Sequence, residues 1–426
     1  MLDVTFIRNN PDIVKKAMVN KGEDNPQLID EVINVDEQWR SLVEETDNLR
    51  SESNTKAQKI GELMGQGKKE EAQEIISYTT KLKEQIQEKE EQLRSLKQAR
   101  EDLLLQIPNV PHESVPIGET EEDNEVFKTW GEPHGEDWRK PHWEIVEEQG
   151  WIDFARGAKV TGAGFPFYVG PIARLQRALV NYFLNRAAEA GYTELQVPYF
   201  VNEDSARGTG QIPDKEDMMY EIPRDDFFVI PTAEVPITNF HRDEILEDEK
   251  LPLYYAAFTP CWRREAGSYG KDVKGLNRLH QFDKVELVKI VYPDTAYDEL
   301  ESLREHAESL LEELQIPYRT LLMCTGDMGF TQSKKYDLEV WSPGQKRWLE
   351  VSSCSNFGSF QARRMMLRRR KDNSDTEILH TLNGSGLALP RVVAAILEIY
   401  QQEDGSIKIP EVLQSFMGTD TITPTN

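Results

Sequence analysis

Cysteine is scarce in this chain. Three occur in 426 residues, Cys261, Cys324 and Cys354, far apart and with neither CxxC nor zinc-ligand spacing. That spacing argues against a disulfide framework or a local zinc site and makes a reducing compartment, the cytoplasm, the expected setting. Long apolar runs are missing too. No stretch of about twenty apolar residues appears, so no membrane span is expected. The opening MLDVTFIRNNPDIVKK lacks the apolar core of a signal peptide. Nor is a Ser/His/Asp or Cys/His constellation evident, so covalent catalysis by a side chain is not expected. The GxG at Gly384–Gly386 has no third glycine, because Pro390 follows, which weakens a dinucleotide-binding reading.

Positive charge is also in deficit. Lys and Arg number 50 against 75 Asp and Glu, a net charge of −25. This argues against broad, nonspecific nucleic-acid binding but leaves room for a local basic patch. One run opposes the overall sign: Arg363, Arg364, Arg368, Arg369, Arg370 and Lys371. A solvated basic face is its plainer reading, and an anionic partner its sharper one.

What is present divides the chain in two. After a short helical lead-in over 1–27, apolar or small residues recur at steps of three or four from Leu28 through Val32, Val35, Trp39, Leu42, Thr46, Leu49, Ser53, Ala57 and Ile60 to Met64. Gly61, Gly65 and Gly67 then mark a turn, and a second stripe runs from Ile75 to Ile107. Heptad-type spacing in two adjacent segments predicts an antiparallel helical hairpin, each helix roughly 50 Å long at about 1.5 Å per residue. The outer faces are too polar for a globular core, so the hairpin is expected to project as an arm. A Pro-, Gly- and acid-rich stretch, Asn109 to Glu125, reads as a linker, and we place the domain boundary near 112, giving domains 1–112 and 113–426.

Beyond the linker, strand patterns follow one another with hairpin-like links and few strict helix alternations. An amphipathic helix begins at Ile172, and Thr193–Pro198 is expected as a strand. Residues 205–217 read as a mobile loop, and Asn383–Gly386 as the opening of a terminal helix from Leu387. This order favours an antiparallel or mixed sheet, an α+β domain rather than a doubly wound one.

The richest stretch is Thr259–Val291. Two strand-like runs flank a Gly- and Lys-rich connection; the first ends in Arg263, Arg264 and Glu265, and the second carries Phe282 and Glu286. Arginine pairs donors to phosphate, a ring face stacks on a base, and a carboxylate anchors an ammonium. From these residues alone, a surface hairpin with a charged tip is an equally good reading.

Three elements in order decide between them. Pro198 after a helix–strand unit, Arg263-Arg264-Glu265 in a strand–loop–strand, and Gly384-Ser385-Gly386 followed by Arg391 resemble the three signature motifs of class II aminoacyl-tRNA synthetases. Thr232-Ala233-Glu234, His280–Glu286 and Ser352–Asn356, together with the helical arm, make the whole chain similar to bacterial-type seryl-tRNA synthetases. The resemblance implies a class II catalytic domain built on an antiparallel sheet flanked by helices. It implies activation of L-serine by ATP, transfer to tRNA(Ser), and to tRNA(Sec) where present, and a homodimer. It implies that Arg263 and Arg391 serve catalysis and that Arg263, Arg264, Glu265, Phe282, Glu350, Val351, Ser352, Ser353 and Arg391 line the ATP site. By the same resemblance Glu350 and Ser353 hold Mg2+, and Thr232, Ala233, Glu234, Glu286 and Ser385 form the serine pocket. Arg50, Lys56, Lys59, Lys81, Lys83, Arg94 and Lys97 on the arm would supply tRNA phosphate contacts, and Lys271, Lys274 and Arg278 would approach the acceptor end. Two positions depart from the family pattern. Pro390 replaces a glycine before Arg391, which a first helical turn tolerates, and Arg264 replaces a small residue.

Overall fold

The computed structural model describes residues 1–213, 218–264, 274–371 and 375–424. The chain forms two compact units, residues 1–19 with 23–108, and residues 20–22 with 109–426.

In the first unit, two short helices, Val4–Asn9 and Pro11–Asn20, precede α1 (Leu28–Gly65) and α2 (Lys69–Leu105). Contacts between the long helices pair early residues with late ones. Arg100 meets Asp36, Lys89 meets Glu45 and Arg50 meets Glu90, at 2.8, 2.6 and 2.8 Å. The hairpin is therefore antiparallel, as the heptads predict. Its seam is unusually polar for a coiled coil. Thr46 and Thr79 are buried there, each hydroxyl donating to the carbonyl one turn earlier, Leu42 O at 2.6 Å and Ile75 O at 2.8 Å. That local bond is why threonine replaces an aliphatic residue at these positions without leaving an unpaired polar group.

Asp36 ties the root of the hairpin. Its buried carboxylate accepts from Arg8 and Arg100 at 2.8 Å and from Arg40 at 2.9 Å, while the Arg100 guanidinium lies 4.3 Å from the Trp39 ring centroid. Burial alone would raise the Asp36 pKa, but the three guanidiniums outweigh it and hold the group below its ordinary value of 3.8. A depressed folded-state pKa contributes stability that is complete above the unfolded value and lost as pH falls through the folded one. Asp36→Asn is thus expected to destabilise the arm by about 1–3 kcal/mol at pH 7, less than for a fully desolvated pair because Arg8 and Arg40 are partly exposed. The wild-type advantage should fade as pH drops below about 4. Helicity followed by circular dichroism during thermal melting at pH 7 and pH 3 checks both statements.

The second unit is built on an eight-stranded sheet. Its strands are β1 (Glu125–Trp130), β2 (Thr193–Glu194), β3 (Leu253–Trp262), β4 (Gln281–Val291), β5 (Tyr318–Leu322), β6 (Lys334–Ser342), β7 (Arg347–Asn356) and β8 (His380–Ala388), in the order β1-β5-β6-β7-β8-β4-β3-β2. Only the β2–β3 pair is parallel. Four helices matter here: α3 (His142–Gln149), α4 (Pro171–Glu189), α5 (Ala296–Glu313) and α6 (Leu389–Ile399). Side chains from all four join the inward residues of the sheet in one large core. Each fully buried Leu, Ile or Val in it contributes about 1.5–3 kcal/mol. Gly384 lets α5 pack closely where it crosses β8, since a Cβ there would lie 3.0 Å from Leu303 Cγ and 3.1 Å from Cys354 Sγ and would push those side chains back.

Four expectations need correction. Residues 203–209 are helical rather than loop, capped by Asn202, whose side chain accepts from Ser205 N; the rest of that expectation, 214–217, lies outside the described residues. Asn383–Gly386 does not open the terminal helix but lies inside β8, because its backbone is engaged by both β4 and β7. Of Thr193–Pro198 only the first two residues form a strand. The basic run is largely neutralised at home. Arg369 pairs with Asp248 and Glu377, Arg370 with Glu247 and Lys371 with Glu377, while Arg364 donates to the carbonyls of Arg207 and Ile212. It is a structural cluster that ties β-segments together.

Candidate active site

Alternation on β4 sets the site. Phe282, Lys284 and Glu286 are spaced by two and so share one face of the sheet, while Val285 and Leu287 enter the core on the other. Glu286 is 1% exposed. Opposite it in register stand Ala257 on β3 and Ser385 on β8. The small residue leaves space over the carboxylate, and the serine adds a hydroxyl beside it.

Thr232 and Ala233 approach from the segment before a one-turn helix, Glu234–Thr238, and Glu234 from its first position. Thr232 Oγ1 donates to Glu286 Oε2 at 3.2 Å and accepts from Lys284 Nζ at 2.9 Å. Lys284 also pairs directly with Glu286. Burial pushes the Glu286 carboxyl up from its ordinary pKa, against the pull of Lys284, Thr232 and Arg263. Glu234, also buried, accepts from Gln361 Nε2 at 2.7 Å. The same amide donates to Thr209 O at 3.1 Å, and its oxygen accepts from Thr381 Oγ1 at 2.7 Å. Ala233 packs its methyl into a second core cluster and has only backbone to offer a ligand.

At the end of β3, Arg263 donates Nε to Pro231 O at 3.3 Å and holds its guanidinium 5.2 Å from the Phe282 ring centroid. His280, stacked on Phe165 at 5.4 Å, bonds the Arg263 carbonyl through Nδ1 at 2.9 Å. Arg264 is exposed, near Tyr220, whose hydroxyl pKa its charge lowers against the larger effect of burial. Glu265 and Lys271 lie outside the described residues.

A bulge shapes the far side. On β7 Ser352 faces Leu338 and Glu350 faces Glu339, so Val351 is an extra residue with no partner on β6. Without it Glu350 and Ser353, three apart, would point to opposite faces; with it they share one. Val351 is buried in the core and Ser352 donates to Ser385 O at 2.7 Å. Neither turns a free side chain toward the site. Ser353 pairs in register with Asp337, whose neighbour Lys335 lies 2.9 Å away.

Burial pushes Asp337 up to about 6. Glu350 behaves oppositely. Its position deep among neighbouring groups would raise it, but Arg391, Lys335, Arg263 and Lys284 together hold it below the usual carboxylate range, and its side chain stays 48% exposed. Arg391, in the first turn of α6 behind Pro390, donates Nη1 to Glu350 O at 2.6 Å and Nε to Asn277 O at 3.1 Å.

The structure thus brings Thr232, Glu234, Arg263, Phe282, Glu286, Glu350, Ser353, Ser385 and Arg391 to one side of the sheet. Sequence reasoning passed over Lys284, Gln361, Asn277, Lys335 and Asp337. Lys284 had a signal, its alternation with Phe282 and Glu286; the others are joined to the site only by long-range contacts.

A largely antiparallel sheet with arginines at two borders and a buried carboxylate on the same side has the layout expected of a class II aminoacyl-tRNA synthetase, and the comparisons show that class. The model of the tRNA synthetase class II core domain (G, H, P, S and T) matches residues 219–400, and that of the seryl-tRNA synthetase N-terminal domain matches residues 1–111. The serine–tRNA ligase of Salinibacter ruber is 58% identical over 420 residues, covering 98% of each chain. Among solved structures, the seryl-tRNA synthetase of Pyrococcus horikoshii complexed with ATP superposes with a TM-score of 0.94 at 37% identity, covering 100% of both chains. The cytoplasmic serine–tRNA ligase of Naegleria fowleri in complex with AMP gives 0.88 at 28% identity, covering 100% of this chain and 99% of that one. The chain belongs to the seryl-tRNA synthetase family, and with it to the enzymes that ligate serine to tRNA. Among the described residues, no helix is long and apolar enough to cross a membrane.

Proposed function

We propose that the chain makes seryl-adenylate from L-serine and ATP and passes the seryl group to tRNA(Ser), and to tRNA(Sec) where that tRNA is present, as a cytoplasmic homodimer. The buried Glu286 carboxylate, set between Thr232 and Ser385 and flanked by Arg263, carries this reading. It suits a small ligand with a hydroxyl to donate and an anionic group to meet arginine. The likeness to a relative complexed with ATP supports the nucleotide half.

In the first step the serine carboxylate oxygen attacks the α-phosphorus of ATP. A carboxyl–phosphate bond forms, and the bond to the pyrophosphate oxygen breaks. In the second, a terminal ribose hydroxyl of the tRNA takes the acyl group and AMP leaves. Arg263 is assigned to the charge that grows on the α-phosphate and Arg391 to the far phosphates; Phe282 stacks on the adenine, and Glu265 holds it. Thr232, Glu234, Glu286 and Ser385 form the serine pocket. Positioning and charge stabilisation supply such catalysis without a side-chain nucleophile.

The oxygen donors at Glu350 and Ser353 fit a hard divalent ion. Glu350 is held ionised, its side chain is half exposed, and the Ser353 hydroxyl shares its face. These two residues would hold Mg2+, which would neutralise phosphate charge. On the arm, Arg50, Lys59, Lys81, Lys83, Arg94 and Lys97 stand exposed and are assigned, with the half-buried Lys56, to tRNA phosphates.

ATP–pyrophosphate exchange with each amino acid in turn tests the reading. Serine is expected to exceed alanine and threonine by at least about a hundredfold in kcat/KM, because a buried carboxylate loses its donor with alanine and the extra methyl crowds the pocket. Comparable exchange with either competitor would overturn the substrate assignment.

A further inference from the structure

One fully buried hydrogen-bonded pair outside the site is aimed at it. His142 opens α3 and Glu398 lies in the last turn of α6, and both side chains are 0% exposed. His142 Nδ1 lies 2.8 Å from Glu398 Oε1, and its Nε2 lies 2.9 Å from the backbone nitrogen of Leu276. A backbone N–H can only donate, so Nε2 accepts. The ring proton therefore sits on Nδ1 and is donated to Glu398. With both nitrogens engaged and no access to solvent, the ring is no proton shuttle. It passes an orientation from a carboxylate to a backbone.

Glu398 is otherwise saturated. Oε1 also accepts from His142 N at 2.9 Å and Gln345 Nε2 at 3.2 Å; Oε2 accepts from Ser342 Oγ and from Gly344 N at 3.1 Å. Gln345 Oε1 in turn accepts from Asn277 Nδ2 at 2.9 Å. Two arms thus run from one carboxylate to two consecutive residues, Leu276 and Asn277. The packing agrees. Gly275 has φ +67, and a Cβ there would fall 2.3 Å from His142 Nε2, so only glycine lets the backbone lie against the ring. Lys274 Nζ sits 5.0 Å from the Trp143 ring centroid. The Asn277 carbonyl then accepts from Arg391 Nε at 3.1 Å.

We propose that His142 and Glu398 are positioning residues for ATP: they clamp residues 274–277 and, through the Asn277 carbonyl, fix the guanidinium of Arg391 where it meets the phosphates. This rests on the assignment of Arg391 to the phosphates made above. The buried pair acts on the nucleotide half of the site and leaves the serine pocket on β4 alone.

The test uses the full-length chain with His142→Asn, His142→Gln and Arg391→Ala, assayed by serine-dependent ATP–pyrophosphate exchange, with folding verified by thermal melting. Asparagine keeps a donor for Glu398 but does not reach Leu276; glutamine reaches Leu276 with an acceptor. His142→Asn is expected to raise KM for ATP about tenfold and leave KM for serine within about twofold, and His142→Gln to recover to within about threefold. In the Arg391→Ala background His142→Asn should add less than about twofold, since the two act in one chain of contacts. Equal shifts in both KM values, no rescue by glutamine, or full additivity with Arg391→Ala would each overturn the inference. Should His142→Asn fail to fold, Gln345→Ala, which cuts the half-buried second arm, is expected to raise KM for ATP about threefold, and no change would count against the clamp. If Arg391→Ala itself leaves KM for ATP unchanged, the phosphate assignment fails. If Arg391→Ala raises it while a folded His142→Asn does not, the clamp alone fails.

Discussion

Glu286→Ala is expected to lower kcat/KM for serine by about a thousandfold, or about 4 kcal/mol of transition-state stabilisation. Two effects contribute. The substrate hydroxyl loses a charge-assisted acceptor, worth about 1.5–3 kcal/mol. The Lys284 ammonium, which pairs with Glu286 and donates to Thr232, is left buried without its counter-charge. That second effect also lowers thermal stability and is the larger of the two for the fold, since removing one partner of a buried pair costs about 3–5 kcal/mol. The two are separable. Glu286→Gln keeps the shape and a hydrogen-bonding group beside Lys284, so its stability loss should be smaller while its serine defect persists. KM for ATP should stay within about threefold in both variants, because Phe282 and Arg391 do not depend on the carboxylate. Exchange kinetics with serine and ATP varied independently measure this. A variant that binds serine normally would remove Glu286 from the pocket.

The second large effect concerns the arm. Excising 47–88 and closing α1 onto α2 with a short glycine turn should leave ATP–pyrophosphate exchange within about twofold and reduce tRNA serylation by at least about a hundredfold, the loss of several phosphate contacts. The cut keeps Asp36, Trp39 and Arg100 together, so the root of the hairpin retains its buried carboxylate network. It removes Arg50, Lys56, Lys59, Lys81 and Lys83. Wild-type serylation should weaken steeply with added salt, and the shortened protein should show a shallower slope. Unchanged serylation by the shortened protein would exclude the arm as the tRNA-binding element; loss of exchange in a folded variant would show that the two activities are not modular.

These outcomes bear on how much of the molecule was legible in advance. The arm was, because a heptad is a local pattern. Leu28 opens α1 as the periodicity requires, and the antiparallel return follows from two complementary stripes joined by a short turn. The key strand was legible for the same reason. Phe282, Lys284 and Glu286 share a face whatever surrounds them. The stacking face of Phe282 and the anchoring carboxylate of Glu286 were legible from residue type, their assignment to adenine and to serine came from family likeness, and Lys284 was given no role. The basic run was misleading, since sequence shows the arginines but not Asp248, Glu247 and Glu377 folded against them. Asn383–Gly386 misled too. A glycine pair before a helix reads as a turn, whereas here its backbone completes β8 between β4 and β7, and the missing side chain of Gly384 lets α5 pack close.

By itself, then, the sequence determined the periodic elements and the face each presents, since side-chain direction within a helix or strand depends on near neighbours alone. Tertiary structure decided everything that hangs on register and on distant partners. The unpaired Val351 turns Glu350 and Ser353 to one face. A second bulge in β8, where Leu387 adopts φ +110, sets Ser385 opposite Glu286. Gln361 reaches Glu234, and Glu398 reaches His142, across more than a hundred residues. Such contacts form only when the whole sheet has closed, because no local preference distinguishes the buried partner of a carboxylate from any other polar residue in the chain.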